Sequence, residues 1–549
     1  MSDIEHVIEM ALTLQREGKL IEAGQIYNKV LEIQPRQADA IHLLGMIAFE
    51  NRDFEKAIGL INEAILINPK IADYHLNISN VYLSSNQSAL AKTHIKIAIR
   101  LNPEMSQAHY NLGNLLFAEG YIDQSIIAFK RSLKLDQNNQ TIWANYLFAL
   151  NFSQDMSLKD IFTINRKWAK ILEKKIKTKP NFQNNKNIRR RLKIGYFLPE
   201  FDKHVTIRYL TPIITLHDKV KFELAGYGNS TNNKLPVSNI IDTFDSWTDV
   251  SGFDAAKIAE TMRNERIDIL LHPCTYKSRY RNVLAYRAAP VQIACINLVS
   301  TTGLLATDYL ITDNFVSPIN SDESLYTEKL IRLSSFNTYK QFIGLNEIGP
   351  LPAIQNRFIT FGSCNNISKI NPDVVETWAT ILKKVENSRL LLKHRALDSN
   401  DQRDHISSAF SKAGISRDRI IYRGFTSSRE DYLNVYNEID IALDPFPFGG
   451  GTVSYEALWM GVPVLTIAGS KIMERLSGSL MYQLDLKKWV LKSKGQYIST
   501  AEFMANDINS LSILRQNLRM KAQNTIFNAK KYTLELEDAL EQAWRNYVY

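Results

Sequence analysis

Three prolines, Pro35, Pro69 and Pro103, stand 34 residues apart, and each closes an amphipathic helical pattern. A period of that length restricts what the N-terminal part of the chain can become more than any other feature. Two further phases carry small residues: Ala23, Ala57, Ala91 and Ser125 at one, Gly45, Ser79 and Gly113 at the other. Small side chains at a fixed phase let two antiparallel helices approach closely, and a proline after the second helix stops it before the next pair begins. The pattern predicts a solenoid of helix pairs, with about four units over residues 6–141. An irregular helical bundle would not keep three phases over that length.

A polar phase runs alongside: Asn77, Asn111 and Asn145 are again 34 residues apart, in HLNISN, HYNLGN and WANYLF. On a face turned to the inner groove, a row of amides would hydrogen-bond the backbone of an extended peptide. The same residues would equally serve to cap or bridge neighbouring helices. The period, the prolines and the small positions together resemble a tetratricopeptide array.

Past Ile142 the helical pattern continues without the repeat phases, and TKPNFQNNKNIRRR (178–191) reads as a polar linker. The texture then changes. Short β-rich runs, LKIGYFL, FELAGYG, IDILLHP, VQIACINL, YLITD and KLIRL, alternate with longer, partly helical stretches up to about residue 345. After a second linker, FITFGS, SRLLLKH, RIIYRGF, IDIALDPF and VPVLTIAG repeat the alternation. That pattern predicts parallel strands with crossover helices, in two α/β lobes facing a cleft at the carboxyl ends of their strands. The expected organisation is a solenoid over 1–141, a helical connector and linker over 142–190, a Rossmann-like lobe over 191–345, a second over 346–520, and a C-terminal helix over 521–549 packing back on the lobes.

A chain of 549 residues needs several cores, and its 45% apolar and 22% charged residues are those of an ordinary globular protein. No apolar run reaches the roughly eighteen residues that span a bilayer. The acidic amphipathic start, MSDIEHVIEMALTLQREG, lacks the order of a secretory signal, so a cytoplasmic protein without membrane contact is expected. Three scattered cysteines, Cys274, Cys295 and Cys364, fit buried thiols rather than a disulfide framework or a zinc site. The net charge of +9 suits a phosphate-bearing substrate or an acidic partner as well as nucleic acid. The basic runs KKIK (174–177) and RRR (189–191) flank the linker as a solvated tether, so no nucleic-acid partner is expected.

The chemistry concentrates in DPFPFGGGTVSYEALWMG, residues 444–461. IDIALD before it is a strand, PFPFGGG the loop at its carboxyl end, and TVSYEALWMG a helix. Glycines there let backbone amides approach an oxygen-rich ligand, and the helix amino terminus offers unpaired N–H groups to a phosphate. Thr452 is placed to cap that helix and to donate its hydroxyl; a plain tight turn is the simpler use of the same residues. Four residues on, Glu456 shares the helix face, where it would reach the vicinal hydroxyls of a ribose or stand as a solvated charge. In FGSCNNISKINP, Lys369 falls just past a strand end and before another helix. Its ammonium would neutralise a diphosphate leaving group, with Asn366 beside it for a base or a phosphate oxygen.

These segments, with LKIGYFLPEFDKH and RAAPVQI, resemble the protein O-GlcNAc transferase and SPINDLY family, in which tetratricopeptide repeats precede a GT-B glycosyltransferase of two Rossmann-like lobes. The resemblance covers nearly the whole chain. It implies that Lys369 and Asn366 contact the nucleotide diphosphate, that Gly450, Gly451, Thr452 and Val453 cradle the phosphates, that Glu456 takes the ribose, and that Tyr432 stands beside the base. His204, in EFDKH, matches a histidine at the mouth of the first lobe, a general-base or sugar-positioning candidate. Where O-GlcNAc transferases have a histidine and a second threonine, this chain has Gly451 and Val453. Where the family has a tryptophan followed shortly by Gly-Tyr-Pro against the donor sugar, this chain reads CINLVSTTG, which puts Ile296, Asn297, Leu298 and Val299 at the sugar pocket.

The expected function is that of an inverting, metal-independent protein glycosyltransferase, with a nucleotide sugar as co-substrate and no cofactor. GlcNAc would pass from UDP-GlcNAc to Ser/Thr of a protein acceptor presented by the repeats, with Asn77, Asn111 and Asn145 as acceptor contacts. GDP-fucose and UDP-glucose are the alternative donors, and a peptide-binding adaptor with inactive lobes is the alternative of another class. No DxD-like pair stands at a strand end to hold a divalent ion, and the repeats offer a route to homo-oligomers.

Overall fold

The computed structural model describes residues 3–176, 180–199, 205–229, 238–273, 278–296, 300–344 and 346–549. The chain divides into two compact units, Met1–Ile142 with Ser399–His405, and Trp143–Asp398 with Ile406–Tyr549.

The first unit is the helical array. Helices Leu20–Ile33, Phe54–Ile67 and Ser88–Leu101 stop just before Pro35, Pro69 and Pro103, as a residue without an N–H requires. Ala23, Ala57, Ala91 and Ser125 are fully buried between helices. At two positions glycine itself is needed. A Cβ on Gly45 would come to 2.6 Å from Ile61 Cγ1, and one on Gly113 to 2.6 Å from the Phe129 ring, well inside van der Waals contact. Ser79 fits at the same phase by turning its hydroxyl back onto the Leu76 carbonyl.

In the second unit, the helix Leu158–Glu173 opens with a capping box between Ser157 and Asp160. Strands β1 (Leu192–Leu198), β2 (Phe222–Gly228), β3 (Ser246–Asp249), β4 (Ile269–Pro273), β5 (Val291–Cys295), β6 (Tyr309–Asp313) and β7 (Lys329–Leu333) follow. They form a seven-stranded sheet in the order β3-β2-β1-β4-β5-β6-β7. Strands β8 (Thr360–Ser363), β9 (Arg389–Lys393), β10 (Ile420–Arg423), β11 (Ile441–Leu443), β12 (Val464–Ile467) and β13 (Val490–Leu491) form a six-stranded one, β10-β9-β8-β11-β12-β13. Every pairing in both sheets is parallel. Central strands such as β4 and β9 carry unbroken buried apolar runs, residues 269–271 and 390–392, as strands covered by helices on both faces do. In each sheet the strand order reverses beside the first strand, between β1 and β4 and between β8 and β11, and the crevice beyond the carboxyl ends at such a point is where α/β sheets bind ligands.

The helix Ile508–Asn524 packs Leu511 and Leu518 into the core of the second lobe. The last helix, Ala529–Val548, returns to the first lobe, where Tyr532, Leu536, Leu540 and Trp544 join the core beneath β1 and β4. Each such side chain contributes about 1.5–3 kcal/mol of burial. Its Glu537 carboxylate accepts from the Asp218 amide at 2.7 Å and meets the buried His217 ring at 2.8 Å.

Candidate functional site

β11 ends at Leu443, and the next residue, Asp444, is 2% exposed. Its carboxylate accepts from the Gly450 amide at 2.6 Å and from Thr466 Oγ1 at 2.8 Å, and burial pushes its pKa up. The loop therefore folds back on its own strand. A Cβ on Gly449 would stand 2.8 Å from Asp444 Oδ2, and one on Gly450 would collide with Ser454 Oγ. These two glycines serve the collapse of the loop onto Asp444, and the Gly450 amide is spent there. Gly451 alone faces open space, with Tyr209 Oη at 3.9 Å from its Cβ position. Gly451 is also the cap of the helix Thr452–Trp459. Thr452 is its first helical residue, and its hydroxyl, instead of capping, shares a 2.9 Å hydrogen bond with Tyr209. The amides of Thr452 and Val453, in the first turn of that helix, have no partner within it; the Val453 carbonyl accepts from Tyr436 Oη at 3.2 Å.

Lys369 arrives from β8 through a short 3-10 turn, Ile367–Lys369. Asn366 caps that turn, its Oδ1 accepting from the Ser368 amide and hydroxyl, while the residue itself is exposed. Lys369 Nζ donates to Gly449 O at 2.7 Å and to Asn365 Oδ1 at 3.1 Å. It lies 4.6 Å from the centre of the Phe448 ring, which stacks on Phe152 at 4.0 Å. Burial lowers the Lys369 pKa to about 8, with the Asp444 charge opposing the shift. A crevice at the β8/β11 switch point is lined by Ser363, Cys364, Asn365, Ala442, Val453 and Ser454, and Lys369 adjoins it through its bond to Asn365.

Glu456, one turn into the helix, is 1% exposed and so is no solvated charge. Its Oε1 accepts from Arg429, and from Arg208 and Tyr339 Oη at 3.4 Å each. Its Oε2 is buried and has no hydrogen-bond partner among the described residues, an unspent acceptor of the kind a ligand hydroxyl would satisfy. Tyr432 lies beneath this group, 4.8 Å from the Arg429 guanidinium and 5.7 Å from Lys393 Nζ.

The remaining expected residues fall elsewhere. Ile296, at the end of β5, adopts φ +59° and packs against the cores of both lobes; His204, Asn297, Leu298 and Val299 lie outside the described residues. In the helical unit, Asn77 Nδ2 meets His42 Nε2 at 3.0 Å, and Asn111 donates to Asn80 Oδ1 at 2.7 Å while accepting from Gln107 at 2.8 Å. Both amides bridge side chains of the array itself, and Asn111 is 6% exposed, which favours the bridging alternative over a peptide-facing row. Asn145 belongs to the other unit. The spacing of residues did not disclose Asp444, Arg208, Arg429, Tyr209 or Phe448. The first and last sit inside the glycine motif, and Arg429 is one helical turn before Tyr432, so proximity to recognised residues was the signal available.

Two parallel sheets of this strand order, preceded by a helical-repeat unit, define the architecture of a GT-B glycosyltransferase. Residues 154–347 and 351–536 match Glycosyl transferase family 41, and residues 38–71 and 76–139 match tetratricopeptide repeats. The chain belongs to glycosyl transferase family 41. It is 31% identical over 427 residues to a probable UDP-N-acetylglucosamine–peptide N-acetylglucosaminyltransferase SPINDLY of Oryza sativa subsp. japonica, covering 76% of this chain and 46% of that protein. It is 24% identical over 476 residues to the UDP-N-acetylglucosamine–peptide N-acetylglucosaminyltransferase of Caenorhabditis elegans, covering 65% and 41%. A solved structure of a mutant Thermobaculum terrenum O-GlcNAc transferase, 29% identical, matches at a TM-score of 0.81 over 99% of this chain and 98% of that one. The chain spans somewhat less than half the length of the curated relatives it matches. Among the described residues no helix is long and apolar enough to cross a membrane, and no three His, Cys, Asp or Glu side chains are grouped to hold a metal ion.

Proposed function

We propose that this chain is an inverting, metal-independent protein glycosyltransferase that moves GlcNAc from UDP-GlcNAc to Ser or Thr of a protein acceptor. The observation that carries this reading is the sequence of groups along one loop and helix: the Lys369 ammonium bonded to Gly449 O, the start of the helix Thr452–Trp459, and, one turn on, a buried Glu456 oxygen with no partner among the described residues. Such a set complements a nucleoside diphosphate: the cation and the helix terminus take the phosphates, and the buried carboxylate takes a ribose hydroxyl. The acceptor hydroxyl attacks the anomeric carbon from the side opposite the diphosphate. As the glycosidic bond breaks, negative charge gathers on the leaving oxygen, where Lys369 and the helix start are already oriented and no reorganisation is needed. Fixed positive charge of this kind does the work that a divalent ion does elsewhere. His204 is the base candidate for the acceptor proton. The printed names of the relatives support UDP-GlcNAc as donor and a peptide as acceptor.

The test is transfer itself. Purified protein is incubated with UDP-GlcNAc, UDP-glucose or GDP-fucose and a library of Ser/Thr peptides, and products are read by mass spectrometry. The proposal expects an N-acetylhexosamine increment on peptide from UDP-GlcNAc, absent with Lys369→Met. Donor binding without transfer to any acceptor would instead identify the adaptor.

A further inference from the structure

One contact at the phosphate end of the crevice comes from neither β8 nor β11. The helix Thr206–Leu216, which follows β1 in the first lobe, sends Tyr209 across to the second, where its hydroxyl lies 2.9 Å from Thr452 Oγ1. Among the described residues, and apart from the chain neighbours of Gly451, the same Oη is the single atom within 4 Å of the position a Cβ on Gly451 would take, at 3.9 Å. The open side of the helix start is therefore bounded by a phenol. That ring is held edge-on by Tyr339 at 4.8 Å and Tyr455 at 5.9 Å, and the residue is 5% exposed. Arg208, its neighbour, reaches Glu456 Oε1 at 3.4 Å, so one turn of the first lobe touches both groups given above to the nucleotide.

Proton counting shows what the contact leaves over. Tyr209 and Thr452 carry two O–H groups and spend one on the bond between them. The other remains to donate, beside two helix amides that also need an acceptor. Burial holds the Tyr209 phenol well above its ordinary pKa, so the hydroxyl stays a donor across the physiological range and never becomes an anion that would repel phosphate.

We propose that Tyr209 is a donor-binding residue supplied by the first lobe: its hydroxyl, paired with that of Thr452, hydrogen-bonds the diphosphate of the nucleotide sugar over Gly451. The inference rests on the nucleotide-sugar reading of this site. It makes the phosphate subsite a joint property of the two lobes, completed by the helix after β1.

The test uses the full chain and its Tyr209→Phe and Lys369→Met variants. Binding of UDP and of GDP is followed by calorimetry, and binding of uridine and guanosine by ligand-observed NMR. Phenylalanine keeps the ring packing and removes the oxygen alone. The expected result is a loss of about tenfold to a hundredfold in diphosphate affinity for Tyr209→Phe, with nucleoside binding unchanged. If Tyr209→Phe binds the diphosphate as wild type does while Lys369→Met loses it, this inference is overturned and the reading of the site stands. Equal weakening of diphosphate and nucleoside also overturns it, because it would mean a packing role. If neither diphosphate binds the wild-type protein, both are overturned.

Discussion

Replacing Lys369 by methionine should destroy donor binding without costing stability, and the sign of the stability change is the informative part. In the free protein the ammonium is held in a place that disfavours it: burial moves its pKa from 10.5 to about 8. A depression of that size corresponds to at most roughly 3 kcal/mol against the charged form, and partial exposure of the side chain reduces this to about 1–2 kcal/mol. Against it stand the bonds to Gly449 O at 2.7 Å and Asn365 Oδ1 at 3.1 Å, together worth about 1–2 kcal/mol net. Methionine keeps most of the volume and the contact with Phe448. The variant should therefore be as stable as wild type at pH 7, or more stable by up to about 1 kcal/mol. The pH dependence follows from the direction of the shift. A base whose folded pKa lies below its unfolded value penalises the fold fully below pH 8, and the penalty fades as pH rises from 8 to 10.5. Chemical denaturation at pH 7 and at pH 10 reads both numbers, and the variant's advantage should shrink at the higher pH. A variant less stable than wild type by more than about 1 kcal/mol, with a gap that ignores pH, would refute the reasoning and make Lys369 a structural residue.

Three further outcomes follow from the same geometry. Gly450→Ala forces a Cβ into Ser454 Oγ and to 2.9 Å from Asp444 Oδ1, so it should cost about 1–3 kcal/mol and weaken UDP binding, whereas Gly451→Ala should leave the melting temperature unchanged; paired melts and titrations check both. Affinity for UDP should fall progressively as pH rises through 8, where the Lys369 ammonium with its pKa of about 8 loses its proton, and the titration of Lys369→Met should be flat over that range. In the repeats, Gly113→Ala meets the Phe129 ring at 2.6 Å and should destabilise the array by about 1–3 kcal/mol, visible as an earlier loss of helical circular dichroism with donor binding unaffected.

How much of this could be read from the residues depended on whether the signal was local. The 34-residue period announced the helix pairs because proline and glycine act through their own backbone and their immediate neighbours, as at Pro69 and Gly45. The apolar runs marked the buried strands: LKIGYFL is β1 and FELAGYG is β2, residue for residue. β3, with the sequence SWTD, and the two-residue β13 were missed, since an edge or very short strand needs no apolar run. At the site, the glycine loop, Lys369 and Glu456 were legible as residue types in a strand-loop-helix context. What they do in the free protein was not. That Gly450 gives its amide to Asp444 depends on how one loop folds back on its strand, and that Glu456 is clamped by Arg429 and Arg208 and Thr452 pairs with Tyr209 are contacts between segments as far as 248 residues apart. In the asparagine phase, Asn77 and Asn111 bridge side chains within the array, contacts that spacing alone did not distinguish from a peptide-facing row.

The crevice between β8 and β11 is proposed to hold a nucleotide sugar by its diphosphate. Calorimetric titration of the wild-type protein and of Lys369→Met with UDP-GlcNAc at pH 7.5 addresses it directly. The account predicts saturable one-to-one binding to wild type and a loss of at least about tenfold in the variant, the worth of a charge-assisted phosphate contact. Equal affinity in the two proteins, or no binding to wild type, would contradict it.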